Sequence, residues 1–251
     1  MPTLQATMQR RILVNYRVDP SLLAAWLPHP FRPAVVNGYG VAGICLIRLG
    51  HIRPRGIRAT LGLTTENAAH RVAVEWDTAE GPVTGVYIPR RDTSSRLAAA
   101  LGGRAFPGWQ HLAAFRVEES PDRYRIQIDS KDGEVHVTVT AHRSDRIMAG
   151  SVFADLDAAS RFFQEAPVGY AATPTEGVFD GVGLATDTWQ FGPLALDELR
   201  SSLFDDPRTF PPGSAHPDSA FWMGGMATTW QPRPKLVACQ APFPAGCSEA
   251  C

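Results

Sequence analysis

The succession of strand-like segments is the feature that most constrains how this chain can fold. Alternating or wholly apolar strand patterns follow one another at 10–18, 41–49, 66–76, 111–117, 123–128 and 134–142. A parallel, doubly wound sheet needs a crossover helix between successive strands, so this order favours hairpin-like, antiparallel pairing. No repeat or linker-like segment divides the chain. We therefore predict one α+β domain over residues 1–251, mainly antiparallel β and barrel-like.

Turn and capping residues set the expected boundaries of the elements. Asp19-Pro20 is expected to open a short helix, SLLAAWL, and Lys131-Asp132-Gly133 to form a hairpin turn. Residues 57–76 are expected to form two strands with a break near Thr64-Thr65. The remaining expected elements are helices around 156–165 and 194–204, an apolar element over 219–230, and a Pro-rich tail from Gln231.

Residues 85–108, GVYIPRRDTSSRLAAALGGRAFPG, contain a candidate binding site. A short strand is expected to end at Pro89, which has no N–H to continue a ladder. A helix is then expected after an N-cap at Asp92 or Thr93, and free N–H groups in a first turn attract anions. The basic residues of the stretch are Arg90, Arg91, Arg96 and Arg104. They predict an anion pocket; the alternative is a capped surface helix with solvated arginines.

The balance of charges excludes several classes of partner. The net charge is −1 and the pI is about 6.7, so neither nucleic acid nor an anionic membrane surface is expected as a partner. No apolar run approaches the ~18 residues of a transmembrane helix, and the N-terminus lacks a signal pattern, so we expect a cytoplasmic protein. Only Lys131 and Lys235 are lysines, which limits any mechanism that needs an amine nucleophile.

The chain lacks the sequence motifs of common catalytic sites. It has no G-x-S-x-G, S-x-x-K, H-E-x-x-H or Walker motif. Gly38, Gly40 and Gly43 spell G-x-G-x-x-G, but they run into an apolar strand instead of opening a helix, so a dinucleotide site is rejected. Cys239, Cys247 and Cys251 form a tail for which a reduced state is expected, with a disulfide or a metal as alternatives. No cofactor is expected.

Four histidines lie on or beside the predicted strands. His136 and His142 share a face without an evident third ligand, so an exposed strand face is favoured over a metal site. His70 and His111 are near the arginine stretch and are candidates for substrate binding or acid-base work. For each of them the alternative is a satisfied, half-buried histidine. Glu66 lies on the same strand face as His70.

Five ordered stretches resemble one known family. They are RILVNYRVDPSLLAAWLPHPFRP, LTTENAAHRVAV, YIPRRDTSSRLAAALGGRAFPG, VGYAAT and DSAFWM, between about Arg10 and Trp230. In these stretches the chain resembles the YqjF-like branch of the acetoacetate decarboxylase-like superfamily. The resemblance implies a cone-shaped, mainly antiparallel β-barrel with flanking helices and a central pocket. It also implies a homo-oligomer.

The resemblance further implies where an active site would lie. Decarboxylases of this superfamily form a Schiff base through a lysine, which a second lysine directly after it activates. Here Arg90-Arg91 follow the proline in place of that pair, while Arg17 matches an active-site arginine and Glu66 a pocket glutamate. Arginine stays protonated and cannot supply a neutral amine, so Schiff-base decarboxylation is not expected.

The residues that remain suit recognition of a small organic acid. Arg17, Arg90 and Arg91 would clamp a carboxylate, and Glu66 would act as a base or, alternatively, neutralise the arginines in a structural ion pair. The predicted catalytic residues are Glu66, Arg90 and Arg17, and the predicted substrate-binding residues are Arg91, His70, Arg96, Arg104 and His111.

Three functions are compatible with these residues. The first is a lyase-, dehydratase- or cyclase-type enzyme that acts on a small carboxylate- or carbonyl-bearing metabolite without a Schiff base. The second is a non-catalytic protein that binds organic anions, and the third is an oligomeric scaffold whose arginines form the interface.

Overall fold

A computed structural model describes residues 2–56, 63–104 and 108–238. The helices of this part are α1 (Pro20–Trp26), α2 (Arg96–Ala100) and α3 (Leu156–Gln164), and none of them is long and apolar enough to cross a membrane. The strands are β1 (Leu4–Val18), β2 (Arg32–Pro33), β3 (Val35–Val36), β4 (Tyr39–Pro54), β5 (Leu63–Thr78), β6 (Gly81–Thr93), β7 (Gln110–Glu119), β8 (Arg123–Ser130), β9 (His136–Arg143), β10 (Val168–Ala172), β11 (Val178–Thr186), β12 (Gly192–Ser201), β13 (Ala215–Met223) and β14 (Met226–Val237).

The strands close into two rings that share β1, β4, β5 and β6. One edge of β1 pairs with β4, and its other edge pairs with β14 over Leu4–Met8 and with β13 over Arg11–Val18. One edge of β6 pairs with β5, and its other edge pairs with β10 over Val86–Ile88 and with β7 over Arg91–Thr93. The smaller ring closes through β10, β11 and β14, and the larger ring through β7, β8, β9, β12 and β13.

The pairings confirm the predicted mainly antiparallel class. The pairings of β6 with β10 and with β7 are parallel, and the other pairings among the described residues are antiparallel. The strand pair β8–β9, with its turn at Lys131-Asp132-Gly133, is a hairpin as predicted. The helix after Asp19 is also confirmed, because the Asp19 carboxylate accepts a hydrogen bond from the Ser21 N–H at its N-terminus.

Two hydrophobic clusters lie on opposite faces of the shared strands. Ile12 and Val14 of β1 point into the larger ring, where they are fully buried. Leu13 points the other way and joins Phe221 of β13 and Phe163 of α3. Successive residues of a strand face opposite sides, so one strand supplies both clusters. Each large side chain buried in this way contributes about 1.5–3 kcal/mol.

The expected end of a strand at Pro89 is wrong, because β6 continues through this residue to Thr93. The register between β5 and β6 shifts beside Pro89, between His70 and Val72. On the other edge, pairing with β10 ends at Ile88 and pairing with β7 begins at Arg91. Proline is tolerated here because the ladder is already interrupted at this position.

The continuation of β6 also moves the expected helix cap. Asp92 and Thr93 are buried strand residues and do not cap a helix. The cap is Ser95, whose Oγ accepts a hydrogen bond from the Ala98 N–H at the start of the five-residue α2. An anion site at the start of a longer helix is therefore not formed.

Other expectations are corrected by pairing that is distant in sequence. Residues 194–204 were expected to be helical, but β12 covers most of them because it fits between β9 and β13. β5 runs through Thr64-Thr65 without a break, and β14 extends through the expected tail to Val237. Residues 57–62 and the cysteines from Cys239 onward lie outside the described residues.

Candidate functional site

Arg90 and Arg91 are successive strand residues, so their side chains point to opposite sides of β6. On the Arg90 side, the guanidinium lies 3.0 Å from Asp92, 2.8 Å from Asp132 and 2.8 Å from Glu134. His111 joins this group through its Nδ1, 2.9 Å from Asp132. Three carboxylates already surround Arg90, and this arrangement leaves little positive charge to hold an anionic ligand.

The carboxylates of this group respond differently to their surroundings. Burial alone would raise the pKa of Asp132, but hydrogen bonds from Ser130, Arg90, the Glu134 N–H and His111 outweigh burial and lower it. Asp92 is fully buried, and burial raises its pKa in spite of the hydrogen bond from Arg90. The group therefore resembles a structural ion-pair network between β6 and the β8–β9 hairpin.

Glu66 lies in a second ion-pair network. Its carboxylate is 2.5 Å from Arg10 and 2.5 Å from Arg48, and both guanidiniums also contact Glu119. Burial would raise the pKa of Glu119, but the hydrogen bonds and charges of Arg10 and Arg48 lower it. Two arginines thus neutralise two glutamates. Of the two roles predicted for Glu66, a base or a structural ion pair, this geometry supports the structural ion pair.

Arg17 lies apart from both networks. Its guanidinium donates to the Gly150 carbonyl at 2.8 Å, lies 3.8 Å from Asp218 and packs over the Tyr39 ring. It lines an open surface groove, and neither Glu66 nor Arg90 is among the wall residues of that groove. The structure therefore places Arg17, Glu66 and Arg90 at separate points, and their catalytic roles remain predictions.

The remaining predicted binding residues differ in exposure. Arg96 and Arg104 are exposed at and just after α2. His70 is buried inside the larger ring, and neither ring nitrogen has a hydrogen-bond partner among the described residues. Burial, helped by the charge of Arg90, lowers the pKa of His70 to about 4, so this imidazole is neutral at pH 7.

Arg91 faces a cavity together with Arg11 and Arg71. We call this cavity, lined by these three arginines with Cys45 and Phe163 among apolar residues, the arginine lobe. Its volume is about 90 Å³. At the ~15 Å³ that one water requires, this is room for about six water-sized groups.

The three guanidiniums are held by contacts that include no ion pair among the described residues, although the charge of Asp180 acts on Arg91. Arg11 Nε donates to Cys45 Sγ at 3.1 Å, and Arg71 donates to Asn15 Oδ1 while lying 4.8 Å from the centre of the Phe163 ring. The Nε atoms of Arg71 and Arg91 are buried without hydrogen-bond partners in the part of the chain that the structure describes. Among the described residues, no carboxylate lies within ion-pair distance of Arg11, Arg71 or Arg91.

Burial perturbs two of these arginines strongly. It lowers the pKa of Arg71 to about 10, and the nearby charge of Arg11 acts in the same direction. Burial likewise lowers the pKa of Arg91 to about 10. Both guanidiniums still remain charged at pH 7. The lobe therefore concentrates positive charge in an apolar setting, which is the environment that an anion would neutralise.

A second cavity, which we call the apolar lobe, adjoins the first. The two share Ile47, Ala69, Arg91 and Trp230 as wall residues. Its volume is about 80 Å³, and most of its other wall residues are aliphatic. Arg91 thus lies at the junction of the two lobes.

Arg11 and Arg71 were missed by the reasoning from sequence. A usable signal was present, because Arg71 lies within an apolar strand and its neighbours on the same face are Ala69 and Ala73. A guanidinium between two small side chains in a buried strand has space in front of it. Arg11 gave a weaker signal, since nothing in its local pattern shows that β4 and β5 place it beside Arg71.

The predicted histidine face and the two lysines are not among the described wall residues of the two lobes. Among the described residues, no group of three His, Cys, Asp or Glu side chains could hold a metal ion. His136 and His142 contact Asp129 and Asp197, at 3.0 Å each. Lys131 lies in the hairpin turn and Lys235 pairs with Asp180 at 3.2 Å, so neither lysine lines the two lobes.

Comparison with solved structures identifies the fold. The chain is similar to acetoacetate decarboxylase from Legionella pneumophila (TM-score 0.59, 15% identity, covering 95% of this chain and 88% of the other). It is also similar to an acetoacetate decarboxylase-like enzyme from Sphingomonas wittichii (0.53, 12%, 94% and 90%). A third similar structure is the enduracididine biosynthesis enzyme MppR complexed with pyruvate (0.52, 14%, 93% and 90%).

Comparison of sequences identifies the family. No curated protein matches this chain. The model of DUF2071, described as an uncharacterized conserved protein family, matches residues 5–221. The chain therefore belongs to the DUF2071 family and has the fold of the acetoacetate decarboxylase-like superfamily.

Proposed function

We propose that the protein is a lyase-type enzyme that binds a small organic acid in the arginine lobe and acts on it without a Schiff base. The supporting observation is that Arg11, Arg71 and Arg91 face one cavity with no carboxylate partner among the described residues. Unpaired buried charges are costly, and a carboxylate ligand would relieve this cost through paired N–H···O bonds.

A structure of the same fold gives additional support. MppR, with which this chain shares 14% identity, has been solved in complex with pyruvate, a 2-oxo acid. A small acid with a carbonyl group beside its carboxylate also has a size compatible with the ~90 Å³ lobe. We infer that 2-oxo acids belong to the class of ligands to test first.

Enolisation is the chemistry that the wall residues support best. When a proton leaves the carbon next to the 2-oxo group, the electron pair moves onto the carbonyl oxygen and forms an enolate. Guanidiniums fixed around the lobe would stabilise this charge as it develops. Cys45 is the remaining titratable side chain among the described wall residues. Its sulfur accepts a hydrogen bond from Arg11 Nε at 3.1 Å and lies in the lobe, so Cys45 is the side chain positioned to accept the proton.

Solvent exchange tests this proposal without knowledge of the final product. The protein is incubated with pyruvate or 2-oxobutyrate in D₂O, and loss of the proton signal at the carbon beside the carbonyl is followed by NMR. We expect exchange above the background with the wild type and with Arg96→Met, whose side chain is exposed. Arg91→Met and Cys45→Ser are expected to reduce it to background. Equal exchange in all four proteins would refute the mechanism.

A non-catalytic organic-anion binding protein is the second candidate. It is favoured by the lack of a carboxylate, histidine or lysine side chain among the described wall residues of the arginine lobe. This candidate predicts that the acid binds, that Arg91→Met abolishes binding, and that no proton exchange occurs. An arginine-mediated scaffold is less compatible with the geometry, because Arg91 lines both lobes.

A further inference from the structure

The two lobes differ in chemistry but share a wall. The geometry points to an amphipathic monocarboxylic acid as the ligand, with its carboxylate at Arg91 and Arg71 and an apolar tail in the apolar lobe. This inference rests on the proposed function and specifies its ligand. It is based on the position of Arg91, which lines both cavities together with Ile47, Ala69 and Trp230.

The wall of the apolar lobe offers hydrocarbon contacts. Leu4, Leu49 and Ile52 are among its lining residues, and Arg91 is the only charged side chain among its described wall residues. Apart from Arg91, a second carboxylate would find no cation among the described wall residues of this lobe. A dicarboxylic acid long enough to extend beyond Arg91 would therefore bury an unpaired charge, whereas a methylene chain would not.

Most polar side chains of this wall already have partners inside the protein. Thr65 accepts a hydrogen bond from Asn67, and Asn67 accepts one from Thr93. Ser95 Oγ caps α2 by accepting from the Ala98 N–H. These groups gain little by binding a polar ligand, so the lobe selects for apolar ligand surface.

Two exposed aliphatic residues line the apolar lobe. Leu63 is 48% exposed and Leu97 is 60% exposed, and both line the lobe. Large exposed apolar side chains that line a cavity are suited to cover the end of a hydrocarbon tail. The described wall therefore changes from charged at Arg91 to apolar at Leu63 and Leu97, as does the proposed ligand.

A chain-length series tests the inference directly. Binding of acetate, butyrate, hexanoate and octanoate is measured by titration calorimetry on the wild type. While added methylenes enter the lobe, the affinity is expected to rise about fourfold per methylene, and to level off when the lobe is full.

Two variants locate the tail. Ala98→Leu adds volume to the lobe at a buried position of α2, and alanine and leucine are both good helix formers. It is expected to weaken octanoate binding at least tenfold and to leave acetate unchanged. Leu97→Ser, at an exposed lining residue, gives a second readout if the first variant folds poorly, and is expected to weaken octanoate about threefold. Val35→Ser is the control, since Val35 is 52% exposed and lies outside the lobe.

Each other outcome refutes a defined part of the account. If short acids bind and the series is flat, the apolar-tail inference fails while the proposed function stands. If affinity rises with length but neither lobe variant changes it, the tail lies elsewhere and the inference fails. If no acid of the series binds, and no 2-oxo acid binds either, both proposals fail.

Discussion

Replacing Arg91 with methionine is expected to stabilise the folded protein and to abolish binding of the acid. Arg91 Nε is buried without a partner, and no carboxylate lies within ion-pair distance of the guanidinium among the described residues. Methionine fills a similar shape without a charge, and its flexible side chain tolerates irregular cavities. Most point substitutions destabilise a protein, so an increase in stability would be a distinctive result.

The magnitude follows from the pKa of Arg91. Burial lowers it from its ordinary value to about 10, so the folded state disfavours the charged form. At 1.36 kcal/mol per pKa unit, the penalty is roughly 3 kcal/mol, and partial exposure to solvent in the lobe reduces it. The penalty is fully present at pH 7, where arginine is charged in both states, and would be relieved only as the pH rises above about 10.

The assay compares urea and thermal unfolding of the wild type, Arg91→Met and Arg96→Met at pH 7. We expect Arg91→Met to raise the free energy of unfolding by about 1–3 kcal/mol, which for a chain of this size raises Tm by about 2–6 °C. Arg96→Met changes an exposed side chain and is expected to stay within about 0.5 kcal/mol of the wild type. A destabilisation of Arg91→Met by about 1 kcal/mol or more would refute the reasoning, because it would show that Arg91 is already paired.

Three further predictions concern other residues. Glu66→Gln removes one carboxylate from the network with Arg10 and Arg48. In urea titrations it is expected to lower the free energy of unfolding by about 2 kcal/mol and to leave the affinity for the acid unchanged. Lost affinity at unchanged stability would indicate a role of Glu66 in the binding site instead. In the folded protein the pKa of His70 is about 4, below its ordinary value of 6.5. The free energy of unfolding is therefore expected to fall by roughly 3 kcal/mol as the pH drops from 6.5 to 4. His70→Leu should flatten this part of the pH profile of stability, and an unchanged slope would contradict the lowered pKa of His70. The fourth residue to test is Cys45, whose alkylation by anionic iodoacetate and by neutral iodoacetamide is followed by peptide mass spectrometry. The ratio of the iodoacetate rate to the iodoacetamide rate should be about tenfold higher in the wild type than in Arg91→Met. Equal ratios in the two proteins would show that the arginine lobe does not attract anions.

Local patterns were sufficient to predict much of the fold. The alternation of β1, the cap at Asp19 and the β8–β9 hairpin depend on residues that are close in sequence, and these predictions are confirmed. The failures depend on distant pairing. Pro89 does not end β6 because its place in the ladder is set by β5, β7 and β10, and residues 194–201 form a strand because β9 and β13 flank them.

The candidate site was less accessible from the sequence for the same reason. The Arg90-Arg91 pair was recognised as a candidate. The sequence alone does not show that Arg90 points toward the carboxylates of β6 and the β8–β9 hairpin, or that Arg91 points toward the cavity. Arg11, Arg71 and Arg91 come from β1, β5 and β6, and only the ring of strands brings them together. Glu66, conversely, has the expected arginine neighbours, but they are Arg10 and Arg48 rather than Arg90.

Titration calorimetry of the wild type and Arg91→Met with a panel of acids tests the central claim most directly. The panel contains pyruvate, 2-oxobutyrate, butyrate and octanoate, and Arg96→Met serves as the control. The account predicts that at least one acid binds the wild type and Arg96→Met equally, and that Arg91→Met loses at least about tenfold in affinity, or 1.4 kcal/mol. Equal affinity of the wild type and Arg91→Met for every acid that binds would contradict an organic-acid site in the arginine lobe.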